Sequence, residues 1–115
     1  MKVKLDFAER TRVSGFIPVE SDRVTMRIAR ELREELSFSA EEVEKYNIKV
    51  NNDRVFWDPS AAEVLKEIDF VSVMEDKIFE GLDKLEKEQK TTAVDIDLWD
   101  KFEFEKRLLK VVKKE

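Results

Sequence analysis

Apolar residues recur at helical spacing in the first half of the chain. Five of them share one face at intervals of about one turn: Val24, Ile28, Ala29, Leu32 and Leu36. This period is typical of an amphipathic helix, which we expect over residues 22–36. Upstream, residues 3–7 alternate apolar and polar positions and predict a short strand. Residues 10–20 lack a period and contain turn residues, so we expect an extended connector there.

A short capped helix and a hairpin follow. Residues 39–42 (SAEE) match a capping box, in which a hydroxyl and a carboxylate satisfy free amides at a helix start. We expect this helix to run to Tyr46. Residues 48–57 alternate on both sides of residues 51–53 (NND), which tolerate left-handed backbone angles. This pattern predicts a β-hairpin.

The second half of the chain predicts a third strand and a long helix. Residues 68–70 alternate again, so we expect a strand that completes a small antiparallel sheet with the hairpin, and we expect Trp57 to face the core. Residues 72–75 (SVME) match a second capping box and should start a helix that runs to about Glu88. Gly81 falls on its apolar face, where it predicts close approach by another backbone.

A last helix is predicted from residue 93 onward. Thr92 and Asp95 have the spacing of an N-terminal cap. Five apolar residues form a stripe behind them: Val94, Leu98, Phe102, Leu109 and Val112. If helical over residues 93–113, this segment is about 31 Å long, more than a domain of this size needs to cover its core. We therefore expect residues 105–115 to project as a basic helix end.

Together these elements predict a single domain of the α+β class over residues 1–115. Three main amphipathic helices and one short helix should pack on a small antiparallel sheet with a central hairpin. A chain of 115 residues can bury roughly two thirds of its unfolded surface, so one core suffices.

Composition removes several kinds of chemistry. Without cysteine, the chain has no disulfide, iron–sulfur cluster or thiolate zinc site, and a cytoplasmic location fits. Without histidine, it lacks the usual acid or base near neutral pH. Its two glycines lie far apart, which excludes a phosphate-binding loop. We predict no catalytic, cofactor-binding or metal-binding residue, no membrane span and no signal peptide.

Residues 95–100 (DIDLWD) are the best candidate for a metal site. Alternating carboxylates open calcium loops, but Trp99 stands where such a loop needs an oxygen ligand and Asp100 where it needs a glycine. We interpret Asp95 and Asp97 instead as acids that favour the first turn of a helix. A carboxylate-metal enzyme therefore remains only a third hypothesis.

Charge suggests two candidate surfaces. The chain is 43% charged, with a net charge of −5, and its low Gln, Gly and Pro content leans towards a thermophilic source. Arg23, Arg27 and Arg30 line the first long helix and are candidate nucleic-acid contacts. We expect Glu31 and Glu34, each four residues after an arginine, to neutralise much of this stripe. The net charge also argues against nucleic acid as the partner.

The second candidate is the C-terminal segment. Residues 59–105 hold six lysines against fourteen acidic residues, whereas residues 106–115 hold five basic residues and one acid. Dipole complementarity at a helix end is one explanation. The other is an exposed interaction surface on which basic residues rim apolar ones. Its members would be Phe104, Lys106, Arg107, Leu108, Lys110, Val111, Lys113 and Lys114.

Three segments carry a resemblance to a known group of proteins. They are residues 24–42 (VTMRIARELREELSFSAEE), 55–57 (VFW) and 98–102 (LWDKF). In this order and spacing they resemble small proteins of tailed bacteriophages and prophages, over about residues 17–104. That group has no assigned activity or site residues. The resemblance implies a viral source and no particular chemistry.

These observations favour a non-catalytic protein–protein interaction protein, such as a phage accessory factor in the host cytoplasm. Its partner would be a second copy, a host protein or a virion protein, and a homo-oligomer is one expected form. The alternative hypothesis is a nucleic-acid-associated protein that uses the arginine stripe and the basic C-terminal segment.

Overall fold

The computed structural model describes residues 1–107 and has an α+β fold, as predicted. Its elements follow one another as β1 (Lys2–Leu5), α1 (Phe7–Ser14), α2 (Arg23–Leu36), α3 (Ala40–Lys45), β2 (Lys49–Asn51), β3 (Arg54–Phe56), a 3₁₀ turn (Pro59–Glu63), β4 (Lys66–Asp69), α4 (Ser72–Lys87) and α5 (Ala93–Lys101). The predicted long helix α2, short helix α3, hairpin and helix α4 are all present.

The strands form two separate antiparallel pairs, which corrects the prediction of one sheet. Strand β4 pairs with β1, with Val3 opposite Ile68, while β2 pairs with β3. Val3, Leu5 and Ile68 alternate with charged residues, and their side chains lie in the main core beneath α2 and α4. Strands β1 and β4 alternate in the same way, so their pairing places the apolar residues of both on one face. The hairpin forms a separate pair of strands.

The hairpin turn explains its own sequence. Asn52 and Asp53 both have positive φ angles, 51° and 65°, as the type I′ turn of a two-residue hairpin requires. Trp57 follows β3 and is half-buried, in a smaller second cluster around Phe7 and Ile48. The side chain therefore faces the interior, but not the main core.

Helix α1 occupies the first part of the connector predicted over residues 10–20, so that prediction was wrong for residues 10–14, while residues 15–20 are irregular as predicted. Asp6 caps the helix by accepting from the Glu9 amide at 2.8 Å, and the Glu9 carboxylate accepts in turn from the Asp6 amide. Phe7 and Val13 are buried, but so are Glu9 and Arg10. A helix that buries charged residues does not show the apolar period by which helices are usually recognised.

The start of α4 differs from the prediction in detail. The helix begins after Val71, and Ser72 makes no capping bond, so the second capping box is not formed. Gly81 does lie at a close contact, but its neighbour is the ring of Phe16 rather than another backbone. A methyl group at Gly81 would overlap that ring, which lies in the segment joining α1 to α2.

The last helix ends at Lys101, so the continuous helix predicted over residues 93–113 is wrong. Glu103 adopts a positive φ of 56°, and the Phe104 amide donates back to the Trp99 carbonyl at 3.1 Å. This C-terminal turn satisfies free carbonyls and interrupts the helix, and helical conformation resumes over residues 105–107. Phe104 then returns to the core and stacks on Phe102, with ring centroids 5.0 Å apart.

Candidate interaction surface

Three arginines project from the solvent face of α2. At 100° per residue, Arg23, Arg27 and Arg30 lie opposite the face that buries Ala29 and Leu32. All three are exposed, whereas Arg33, one turn further along, is half-buried. We call the four arginines at positions 23, 27, 30 and 33 the basic stripe.

The intrahelical neutralisation predicted for this stripe does not occur. Among the ion pairs within residues 1–107, none involves Arg23, Arg27 or Arg30, so their predicted pairs with Glu31 and Glu34 are absent. Such surface pairs gain only about 0.3–0.5 kcal/mol against side-chain entropy. The order of cation before acid is also the less favourable one along a helix. These three guanidinium groups are therefore not tied to carboxylates of their own helix.

A shallow groove of about 380 Å³ runs along the basic stripe. Met26 and the four arginines line it, so it combines positive charge with one apolar side chain. Arg33 is fixed at one end, where it donates to the carbonyl oxygens of Ile17 and Pro18. The other three guanidinium groups are held only by the helix that carries them.

Charges at the two ends of α2 are mixed with respect to the helix macrodipole. Asp22 caps the positive N-terminal end and Arg33 lies in the negative last turn, and both placements are favourable. Arg23 at the start and Glu34 and Glu35 near the end are unfavourable by about 0.3–1 kcal/mol each when exposed.

Carboxylates dominate the opposite flank of α2. A wider open groove of about 610 Å³ lies there between α2, β4 and the start of α4. Five acidic residues and two lysines line it: Glu31, Glu34, Glu35, Glu67, Asp69, Lys2 and Lys66. Glu34 also lies among the arginines on the outer face, since at 100° per residue it falls between Arg23 and Arg27.

Arginine and lysine side chains near α1, by contrast, form ion pairs and hydrogen bonds within the fold. Arg10 is fully buried and donates to Glu42 at 2.7 Å and to the carbonyl oxygens of Leu36 and Ser37. This hydrogen-bonded pairing with Arg10 lowers the pKa of Glu42 to about 2. Lys101 pairs in the same way with buried Glu9. These groups hold elements together and are not free to bind a ligand.

The Asp95 carboxylate, the first member of the calcium-like segment, is also structural. It is fully buried and accepts from Arg12 at 2.7 and 3.0 Å and from the Thr92 amide at 2.9 Å. Burial alone would raise the pKa of Asp95, but the bonds from Arg12 and Thr92 outweigh it and lower the pKa. No group of three or more potential ligands for a metal occurs within residues 1–107.

The predicted C-terminal surface falls largely outside the described residues. Phe104 was expected to be exposed. It is buried among Phe79, Trp99 and Phe102, because the turn that follows α5 directs its side chain into the core. Arg107 pairs with Asp76 at 2.8 Å and Lys106 with Glu103 at 3.0 Å. Leu108, Lys110, Val111, Lys113 and Lys114 lie beyond the part of the chain that the structure describes.

Comparison with protein-family models, with curated proteins and with solved structures gave no match to this chain. Within residues 1–107, no helix has the length and apolar character needed to cross a membrane. The functional argument therefore rests on the residues themselves. Among the surfaces of the described chain, the basic stripe is the one that sequence reasoning named but expected to be neutralised.

Proposed function

We propose that this chain is a non-catalytic protein–protein interaction protein, an accessory protein of a tailed phage or prophage acting in the host cytoplasm. It binds through the solvent face of α2. The partner is a second copy, a host protein or a virion protein.

One observation carries the proposal: Arg23, Arg27 and Arg30 stand on the outer face of α2 without an ion pair among residues 1–107. Arginine is enriched in protein interfaces, because its planar group binds carboxylates in two places and packs on apolar surface. The groove beside these residues also contains Met26, which offers such a surface.

Nucleic-acid association is the second candidate, and the same unpaired arginines favour it. Two features weigh against it. The whole chain is acidic, with a net charge of −5, so its long-range field repels a polyanion. Glu31 and Glu34 also share the outer face of α2 with the arginines, and they would meet the phosphates that follow along a nucleic-acid strand.

Affinity purification from the native host tests the proposal. The bait is the full chain, compared with a variant that carries Arg23→Glu, Arg27→Glu and Arg30→Glu. Arg54→Glu serves as the control, because Arg54 is also an exposed arginine but lies on the hairpin. We expect the wild type and the control to retain the same proteins, and the triple variant to lose them. Where the host carries two copies of the chain with different tags, the second copy should be retained and lost in the same way.

Identical recovery with all three baits would contradict the role of the α2 face. A gel-shift assay with generic DNA and RNA at low salt separates the second candidate. Retardation by the wild type that the triple variant loses would favour nucleic acid. Failure of the wild type to shift either nucleic acid would remove that candidate.

A further inference from the structure

The chain carries an acidic pattern that matches the basic stripe. Four acidic residues on α4 repeat the same spacing of i, i+4, i+7 and i+10: Asp76, Glu80, Asp83 and Glu86. We call them the acidic stripe. At 100° per residue, Asp76, Glu80 and Asp83 lie opposite the buried residues Met74, Ile78 and Leu82, whereas Glu86 and Arg33 lie at the edges of their stripes. The side chain of Asp83 is 27% exposed, and the other three acidic residues are exposed.

We propose that the partner of the basic stripe is a second copy of this chain, which places the acidic stripe of its α4 against α2. This inference rests on the proposed function and names its partner. At 1.5 Å per residue, each stripe is about 15 Å long. In antiparallel alignment the paired charges agree in axial position to within about 1.5 Å. Antiparallel helices also align their macrodipoles favourably.

In this alignment the two central pairs carry the contact. Arg27 meets Asp83 of the second copy, and Arg30 meets its Glu80. Both arginines have no ion-pair partner among residues 1–107, so they gain partners without losing any. The fixed Arg33 lies at one end of the contact, where it contributes least.

At the ends of the acidic stripe, Asp76 already pairs with Arg107 at 2.8 Å and Glu86 accepts from the Thr91 hydroxyl, but the partners of the two central residues do not prevent this exchange. Glu80 contacts Lys77 at 3.8 Å and Asp83 contacts Lys87 at 3.0 Å, both along the same helix. The lysine side chains are 37% and 77% exposed, and exposed pairs of this kind contribute little. A guanidinium group that binds a carboxylate through two parallel bonds replaces an ammonium group readily.

Two reciprocal variants of the full chain provide the test. The first carries Arg27→Glu and Arg30→Glu, so each of its two central pairs sets acid against acid. The second carries Glu80→Arg and Asp83→Arg, so each of its two central pairs sets base against base. Arg54→Glu is again the matched control. Each protein is examined by sedimentation velocity over a concentration series, at low salt and at about 0.15 M salt, where charges are screened over about 8 Å.

We expect the wild type and the control to self-associate at low salt and to dissociate as salt is added. Each reciprocal variant alone should associate at least about tenfold more weakly than the wild type, because the like charges of its two central pairs repel one another. An equal mixture of the two variants should associate again, because each stripe then meets its opposite on the other protein. Circular dichroism melting checks that both variants fold; Arg27→Gln and Arg30→Gln replace the reversals if they do not.

A monomeric wild type at high concentration and low salt would overturn the inference. Self-association that survives in either variant alone, or that the mixture fails to restore, would overturn it as well. These outcomes leave the proposed function distinguishable. If the purification still shows partners that depend on the α2 arginines, the chain binds a different protein. If it shows none, both proposals fail.

Discussion

Replacing Arg10 by methionine tests how the fold is held together. The Arg10 side chain is fully buried, and it joins α1 to the end of α2 and to the start of α3. Its guanidinium group also lies over the Phe38 ring, 4.6 Å from the centroid. Methionine keeps the apolar stem of the side chain but removes the guanidinium group and with it all the donors. The loss of stability therefore measures the whole guanidinium group, with its charge, its hydrogen bonds and its packing.

The expected loss is large. Arg10→Met leaves the carbonyl oxygens of Leu36 and Ser37 and the Glu42 carboxylate without their donor. Breaking a buried ion pair costs about 3–5 kcal/mol. Glu42 is 21% exposed and still accepts from the Ser39 amide, so we expect the lower end, about 3 kcal/mol. For a domain of this size the melting temperature should fall by about 10–18 °C.

The effect should depend on pH with a defined sign. Pairing with Arg10 lowers the pKa of Glu42 from its ordinary value of 4.5 to about 2. A lowered pKa stabilises the fold above pH 4.5, and that stability is lost as pH falls towards about 2. A shift of this size corresponds to about 3 kcal/mol, and water at the carboxylate edge reduces it to about 1–2 kcal/mol. The difference in the free energy of unfolding between the wild type and Arg10→Met should therefore narrow by about 1–2 kcal/mol as the pH falls from neutral towards 2.

Chemical denaturation at neutral pH and at about pH 2.5 measures both quantities. Arg27→Met is the control, because Arg27 is exposed and unpaired among residues 1–107; we expect a change within about 0.5 kcal/mol. If Arg10→Met lowered the free energy of unfolding by less than about 1 kcal/mol at neutral pH, the contacts of Arg10 would not be what holds these elements together. A gap that widened on acidification would refute the pKa argument.

Three further substitutions test separate contacts. Gly81→Leu should cost about 1–3 kcal/mol because the new side chain displaces the Phe16 ring, and an unchanged melting temperature would contradict this close contact. Asp53→Gly should stabilise the chain by about 0.5 kcal/mol, because glycine adopts the positive φ of this turn without strain; a lower melting temperature would count against the turn assignment. Asp95→Asn should cost about 2–4 kcal/mol by leaving Arg12 with a neutral partner, and thermal melting that matches the wild type would show the pair to be dispensable.

The fold was predictable where apolar period and local caps agree. Helix α2, the capping box at residues 39–42 and the hairpin turn all have strong local signals, and each is confirmed. Helix α1 was missed because Glu9 and Arg10 lie on its buried face. One signal could have revealed it. Asp6 and Glu9 have capping-box spacing, and that cap is formed.

Contacts between distant residues were the part that local patterns could not supply. Whether β4 pairs with β1 or with the hairpin depends on packing beneath α2 and α4, because all of these strands alternate. The end of α5 was misjudged because Glu103, rather than a glycine, adopts the left-handed angle. The arginines of α2 were identified from the sequence. Their predicted ion pairs with Glu31 and Glu34 are not formed, because a spacing of four residues permits an ion pair but does not require one.

The contacts of β1 and α1 also constrain how the chain folds during synthesis. Strand β1 pairs with residues 66–69, and α1 pairs through Arg12 with Asp95 and through Glu9 with Lys101. At about 5–20 residues per second, a ribosome needs roughly 4–17 s to proceed from the end of α1 to Lys101. Strand β4 is complete after about 3–11 s and α5 only at the end of this delay, so the apolar side chains of residues 3–13 gain these native partners late. In the cell, this early segment therefore lacks part of its native core while most of the chain is still being made.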